Sequence, residues 1–142
     1  MPMSAYPLNF TIEGDDHVVR SRDLPQLLTA GSTHAEALEL AEDALAVVLL
    51  TYMEKGIAIP QPSAVEPGDE LVSPPAPVAA KLAVWRAFIE AKISKSELAR
   101  RMNVAEGEVR RVLDPNYGSK LDKLDQAARA LGRRIQVELA PA

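Results

Sequence analysis

The stretch Ser94-Lys95-Ser96-Glu97-Leu98-Ala99-Arg100-Arg101-Met102-Asn103-Val104-Ala105-Glu106-Gly107-Glu108-Val109-Arg110-Arg111-Val112-Leu113 organises this 142-residue chain. Its apolar positions are Leu98, Ala99, Met102, Val104, Val109, Val112 and Leu113, and their spacing predicts two short helices facing each other around a tight turn. Ser94 followed by Glu97 fits a capping box, which starts the first helix at Ser94. Ala99 is small where a second helix must cross closely. Asn103 stands where the chain bends, and asparagine tolerates a positive φ better than most residues. Glu106, Glu108, Arg110 and Arg111 fall on the outward side of the second helix.

On either side of this pair the helical pattern continues. Val78, Leu82, Trp85, Phe88 and Ile89 form a stripe at helical spacing over about Pro77 to Lys92, and Trp85 on that stripe reads as core. Asp114-Pro115-Asn116-Tyr117-Gly118 reads as a loop. Leu121, Leu124, Ala127, Ala128 and Leu131 mark a further helix, stopped by Gly132. In the tail, Ile135, Val137 and Leu139 alternate with Arg134, Gln136 and Glu138, which predicts a strand. A lone strand leaves its backbone groups unpaired, so the expectation is an antiparallel ribbon between two copies across a two-fold axis. Pairing with the N-terminal sheet is the alternative.

The N-terminal half reads differently. Tyr6, Leu8, Phe10 and Ile12 alternate with Pro7, Asn9, Thr11 and Glu13 as a half-buried strand does. Gly14-Asp15-Asp16 is turn chemistry, His17 to Ser21 returns as a second strand, and Leu27 to Ala30 gives a third, ended by Gly31. Thr33 with Glu36 caps a long helix, about Thr33 to Lys55, that Gly56 terminates. Ile57-Ala58-Ile59 then reads as a fourth strand. Pro60, Pro62, Pro67, Pro74, Pro75 and Pro77 crowd the following stretch, with Leu71-Val72 as a brief edge strand at most. The expected class is therefore α+β: a βββαβ unit over residues 1–63, a proline-rich linker over 64–77, and an all-helical unit over 78–142 that ends in a strand.

Composition narrows the function. Hydrophobic residues make up 47% and aromatics only 4%, which disfavours a nucleic-acid surface built on base stacking. With no cysteine, disulfides, thiolate catalysis and cysteine-ligated zinc are excluded. No apolar run is long enough for a bilayer, and the N-terminus lacks a basic region followed by an apolar one, so a cytoplasmic location is expected. His17 and His34, the two histidines, have no metal-ligand spacing with other residues, and neither a metal nor a cofactor is expected. The net charge of −4 hides a split. Residues 1–80 carry 3 Lys/Arg against 12 Asp/Glu, a net −9, while residues 81–142 carry 13 against 8, a net +5. A basic half can neutralise phosphates and an acidic half can attract a basic protein.

Two resemblances add to this reading. From Lys95 through Leu113 the apolar spacing resembles the Xre/Cro-like repressors, whose helix-turn-helix lays its second helix in the DNA major groove. The N-terminal half, through Asp23-Leu24-Pro25, Thr29-Ala30-Gly31, Thr33 with Glu36-Ala37-Leu38, Ala41, Ala44-Leu45, Gly56 and Ile59-Pro60-Gln61-Pro62-Ser63, resembles the HicB antitoxins. Many of those have proline before the Asp-Leu-Pro triplet and glycine after it; Arg22 and Gln26 stand there in this chain. The HicB resemblance implies a partial ribonuclease-H-like N-terminal domain that binds a HicA-type toxin, a small basic ribonuclease. It also implies a C-terminal domain that represses the operon at its operator.

The resemblance to the repressor motif makes Lys95, Ser96, Glu106, Gly107, Arg110 and Arg111 the candidates that face bases and phosphates. Arg110 and Glu106 suit specificity, because arginine reads guanine bidentately and glutamate accepts from cytosine. Asn116, Tyr117, Ser119 and Lys120 suit backbone contacts, as does Ser96. Gly107 either permits close approach or is simply small. Glu13, Asp15, Asp16 and Asp23 are candidates for the toxin surface, and Ile135, Val137 and Leu139 for a dimer of at least two chains. The expected function is a non-enzymatic antitoxin and repressor whose partners are a HicA-type toxin, operator duplex and a second copy of itself, with no membrane. The alternatives are a ligand-responsive repressor without a toxin, and a metal-dependent nuclease, for which no acidic set has a spacing that demands convergence.

Overall fold

The computed structural model describes residues 5–141. Its elements are β1 (Tyr6–Glu13), β2 (Asp16–Ser21), β3 (Leu28–Gly31), α1 (His34–Lys55), β4 (Asp69–Val72), α2 (Ala76–Ala91), α3 (Lys95–Met102), α4 (Glu106–Val112) and α5 (Leu121–Ala130). The class is α+β, as the periodicities predict.

The strands form one antiparallel sheet in the order β3-β2-β1-β4. Gly14, at φ +64°, begins the two-residue loop between Glu13 and Asp16, which pair across the hairpin. Phe10 faces Val19 and Leu8 faces Ser21, so the even-numbered residues of β1 share one face, which α1 covers as far as Phe10, while Ile12 is exposed. Tyr6, Leu8, Val19 and Val72 on that face are buried with Ala37, Ala41, Leu45, Leu49 and Met53 of α1. The small Ala37 and Ala41 let the helix sit close. Gly31 does the same from the sheet, since a Cβ there would lie 2.6 Å from the Ala37 nitrogen. Thr33 caps α1 by accepting the Glu36 N–H, and Gly56 ends it at φ 65°.

Three expectations are corrected. Ile57-Ala58-Ile59 is not a strand. Gly56 in the left-handed region turns the chain off the helix, the Ile57 N–H bonds back to the Tyr52 carbonyl, and Pro60 has no N–H for a ladder. The fourth strand is β4, which pairs Tyr6 with Val72 and Pro7 with Leu71 at the sheet edge. The stretch over 64–77 is thus a linker only in part: Asp69–Val72 form β4, where the sequence allows a brief edge strand at Leu71-Val72, and α2 begins at Ala76. Third, residues 134–139 form no strand. Among the described residues this segment finds no ladder partner, and the Ile135 N–H goes instead to the Asp125 carboxylate at 3.0 Å.

The helical half does not have a separate core. Leu82, Trp85 and Phe88 of α2 join Leu98, Ala99 and Met102 of α3, Val109 and Val112 of α4, and Leu124, Ala127 and Ala128 of α5 in the same buried cluster as the sheet residues. A polar tie reinforces the junction: the buried Tyr6 hydroxyl donates to the Pro60 carbonyl at 2.6 Å and accepts from the Arg86 guanidinium at 3.1 Å. Burial pushes the Tyr6 hydroxyl pKa up, against the opposing pull of Arg86.

Candidate functional site

Local chemistry builds α3 and α4 as the sequence implies. Ser94 Oγ accepts the Glu97 N–H at 3.0 Å. Asn103, at φ 57° and ψ 49°, ends α3 in the left-handed region and turns the chain into α4. Leu98, Ala99 and Met102 face inward, as do Val109 and Val112, so the charged residues are left outside. Glu97 does not return to its own cap. Its carboxylate takes Arg100 and Arg101, whose hydrogen bonds hold it down to about 2. Those two arginines form an exposed intrahelical cluster with Glu97.

Five candidates come together at the mouth of the α3–α4 pair. Ser96 Oγ donates to Glu106 at 3.0 Å, and Arg110 reaches the other oxygen of Glu106 at 3.3 Å. Lys95, Arg110 and Asn116 line one cleft of about 550 Å³ with Trp85, Phe88 and Asp114. The Arg110 side chain is 61% exposed, so its ion pair with Glu106 is weak and exchangeable. Arg111 is exposed in the last turn of α4, and Tyr117 and Lys120 are exposed beyond its end, with Ser119 half-buried beside them. Gly107 has an ordinary φ, and a Cβ there would meet only the Arg111 and Arg110 guanidinium ends at 3.8 and 4.0 Å. The fold itself therefore does not require this glycine.

The acidic candidates divide. Asp15 and Asp16 are exposed at the β1–β2 hairpin. Glu13 is paired with Arg20, which lowers its carboxyl pKa. Asp23 is half-buried and accepts both the N–H and the hydroxyl of Ser63 at 3.1 Å. It fixes the Ile59–Ser63 stretch and is not an open docking group. Next to it, Arg22 bonds Asp69, Glu66, Ser63 and the Ala64 carbonyl. In the tail, Ile135 is half-buried, while Val137 is 73% and Leu139 100% exposed. Among the described residues no three histidine, aspartate or glutamate side chains converge as a metal site would need. Among the described residues no helix is long and apolar enough to cross a membrane.

Sequence reasoning missed Arg22, Arg86 and Lys81. Lys81 stands on the inward side of α2, three residues after Val78 and four before Trp85. A lysine inside an apolar stripe was the signal available for it. Arg22 and Arg86 act across 40 or more residues, and nothing local announces their partners.

Comparison with known proteins gives a consistent answer. The family described as HicB_like antitoxin of bacterial toxin-antitoxin system matches residues 5–83. Antitoxin HicB of Escherichia coli K12 is 35% identical over 133 residues, 93% of this chain and 96% of that protein. Antitoxin HicB 1 of Photorhabdus laumondii is 36% identical over 135 residues, covering 94% and 86%. Antitoxin HicB of Pseudomonas fluorescens is 36% identical over 121 residues, covering 84% and 83%. These similarities run through the helical half as well as the sheet.

Proposed function

This chain belongs to the HicB-like family of antitoxins of bacterial toxin–antitoxin systems, and on that premise we propose that it silences a HicA-type toxin with its acidic half and represses its own operon with its basic half. The observation that carries the second activity is the outward cluster of Lys95, Ser96, Glu106 and Arg110 on a rigid helix pair, with Lys120 and Tyr117 exposed on the loop after α4. In this reading α3–turn–α4 is a helix-turn-helix. Arg110 reads a guanine once it leaves Glu106, and Lys95, Arg111 and Lys120 neutralise phosphates. Gly107 keeps the start of α4 bare where it meets the groove. The chain acts through partners and not through bond chemistry of its own.

The acidic half supports the first activity by charge, with Asp15 and Asp16 open at the hairpin and the α1 acids Glu36, Glu39 and Asp43 exposed. Two copies pair through Ile135, Val137 and Leu139, which would cover the exposed Val137 and Leu139 and present two α4 helices to a two-fold operator.

Co-expression with the neighbouring small reading frame tests the toxin half: growth is rescued and a stable complex is recovered. An anisotropy titration with duplex from the chain's own promoter tests the DNA half. Arg110→Ala weakens operator recognition by about 1–3 kcal/mol and leaves toxin neutralisation intact. Loss of both activities together would count against two separate surfaces.

A further inference from the structure

Lys81 is a charged residue buried as a whole, 5% exposed. From α2 its ammonium crosses to the end of α4 and the loop beyond. It donates to the carbonyls of Arg111 and Val112 at 3.1 Å, to that of Asp114 at 2.9 Å, and to Ser119 Oγ at 3.0 Å. The Tyr117 ring lies with its centroid 5.9 Å from Nζ. Ser119 also donates to the Arg111 carbonyl at 3.4 Å, and the Asp114 carboxylate accepts the Asn116 N–H at 2.9 Å. Burial pushes the Lys81 pKa down, and the negative charge of Asp114 opposes that.

The chemistry explains why a lysine stands there. The last carbonyls of a helix have no intrahelical donor and carry the negative end of its dipole. A compact ammonium with three protons can meet several converging oxygens from one point; the planar fork of arginine cannot. Here the converging oxygens belong to α4 and to the stretch 114–119 at once. One buried cation therefore ends the helix that carries Arg110 and Arg111 and also shapes the loop that carries Asn116, Tyr117 and Ser119.

We propose that Lys81 is a positioning residue for DNA binding: from inside the fold it holds the α4–α5 loop in its binding shape, so that Arg111 and Lys120 meet phosphates without first being ordered. This rests on the operator-binding reading above. Without that tie, ordering the loop costs more than one phosphate contact returns, so the Lys120 contact is not made.

The test is a salt series with the full chain and duplex from its own promoter, comparing wild type, Lys81→Met, Lys120→Ala and the double variant. Lys81→Met is expected to weaken binding about tenfold and to make the plot of log affinity against log salt shallower by about one, as when a phosphate contact is lost. The double variant is expected to be no worse than Lys81→Met alone, because both remove the same contact. General destabilisation would lower the active fraction and leave the salt slope unchanged. Where Lys81→Met does not fold, Lys81→Gln, which keeps two donors, runs through the same series. A wild-type slope and affinity in the lysine variants, or additive losses in the double variant, overturns the proposal. A wild-type chain that leaves the duplex unbound overturns the operator reading on which it rests. The two failures are told apart by amide exchange at Asp114 and Tyr117, which speeds up in the lysine variants if Lys81 holds the loop.

Discussion

Residues 57–72 and residues 133–141 look mismatched to their sequences, and in opposite directions. The first stretch is rich in proline and reads as slack, yet it is bolted down. Tyr6 holds Pro60, Asp23 holds Ser63, Arg22 holds Ala64, Glu66 and Asp69, and β4 then pairs with β1. The second alternates apolar and polar residues as a strand should, yet past the Ile135–Asp125 bond Val137 and Leu139 stand in solvent. Prolines report that a segment has few backbone donors; they do not report whether side chains elsewhere supply the missing ties. Alternation reports that one face is apolar; it does not name the surface that covers it.

Four experiments can break or sharpen this contrast. Asp23→Ala removes two charge-assisted bonds to Ser63 and is expected to cost about 1.5–3 kcal/mol, read as a lower melting temperature and faster proteolysis within 63–69. Arg22→Ala leaves the buried Asp69 carboxylate without its guanidinium and should cost about 1–2 kcal/mol in the same assays. At a concentration where the chain is monomeric, Val137→Asp combined with Leu139→Asp should change melting by no more than about 0.5 kcal/mol, while at higher concentration light scattering shows an oligomer for the wild type and a monomer for the variant. A tail variant that melts as early as Asp23→Ala would erase the difference between the two stretches. The smallest effect is in acid. Arg22 holds the Asp69 carboxyl below its ordinary value of 3.8, so this anchor stabilises the fold above that pH and is lost as pH falls through the depressed value. Proteolysis within 63–69 should accelerate in that window, and Arg22→Ala should flatten the dependence.

What was legible in the sequence was local. Ser94 and Thr33 cap their helices, Asn103 and Gly56 take the left-handed conformation, and β1 forms where the alternation places a strand, although its burial fades from Tyr6 to Glu13 instead of alternating. Each depends on neighbours within a few residues, where propensity and pattern agree. β4 was nearly hidden, because Leu71 and Val72 are its only apolar residues and prolines flank it; its place depends on register with Tyr6 and Pro7 more than 60 residues earlier. Of the candidate site, the outward residues of α3 and α4 follow directly from helical phase. Asp23 does not, since nothing nearby reveals that Ser63 consumes its carboxylate. Lys81 was written in the pattern as a charge among apolar residues, but its four acceptors come from the end of α4 and the loop after it.

The hydroxyl of Tyr6 and the guanidinium of Arg86 are 80 residues apart in the chain and share one hydrogen bond. Anyone wishing to exchange the helical half between relatives, or to express it without the sheet, would cut through that bond and through the shared apolar interior around it. A working chimera must therefore transplant the tyrosine and the arginine as a matched pair, and the cleanest crossover is one that leaves both on the same parent.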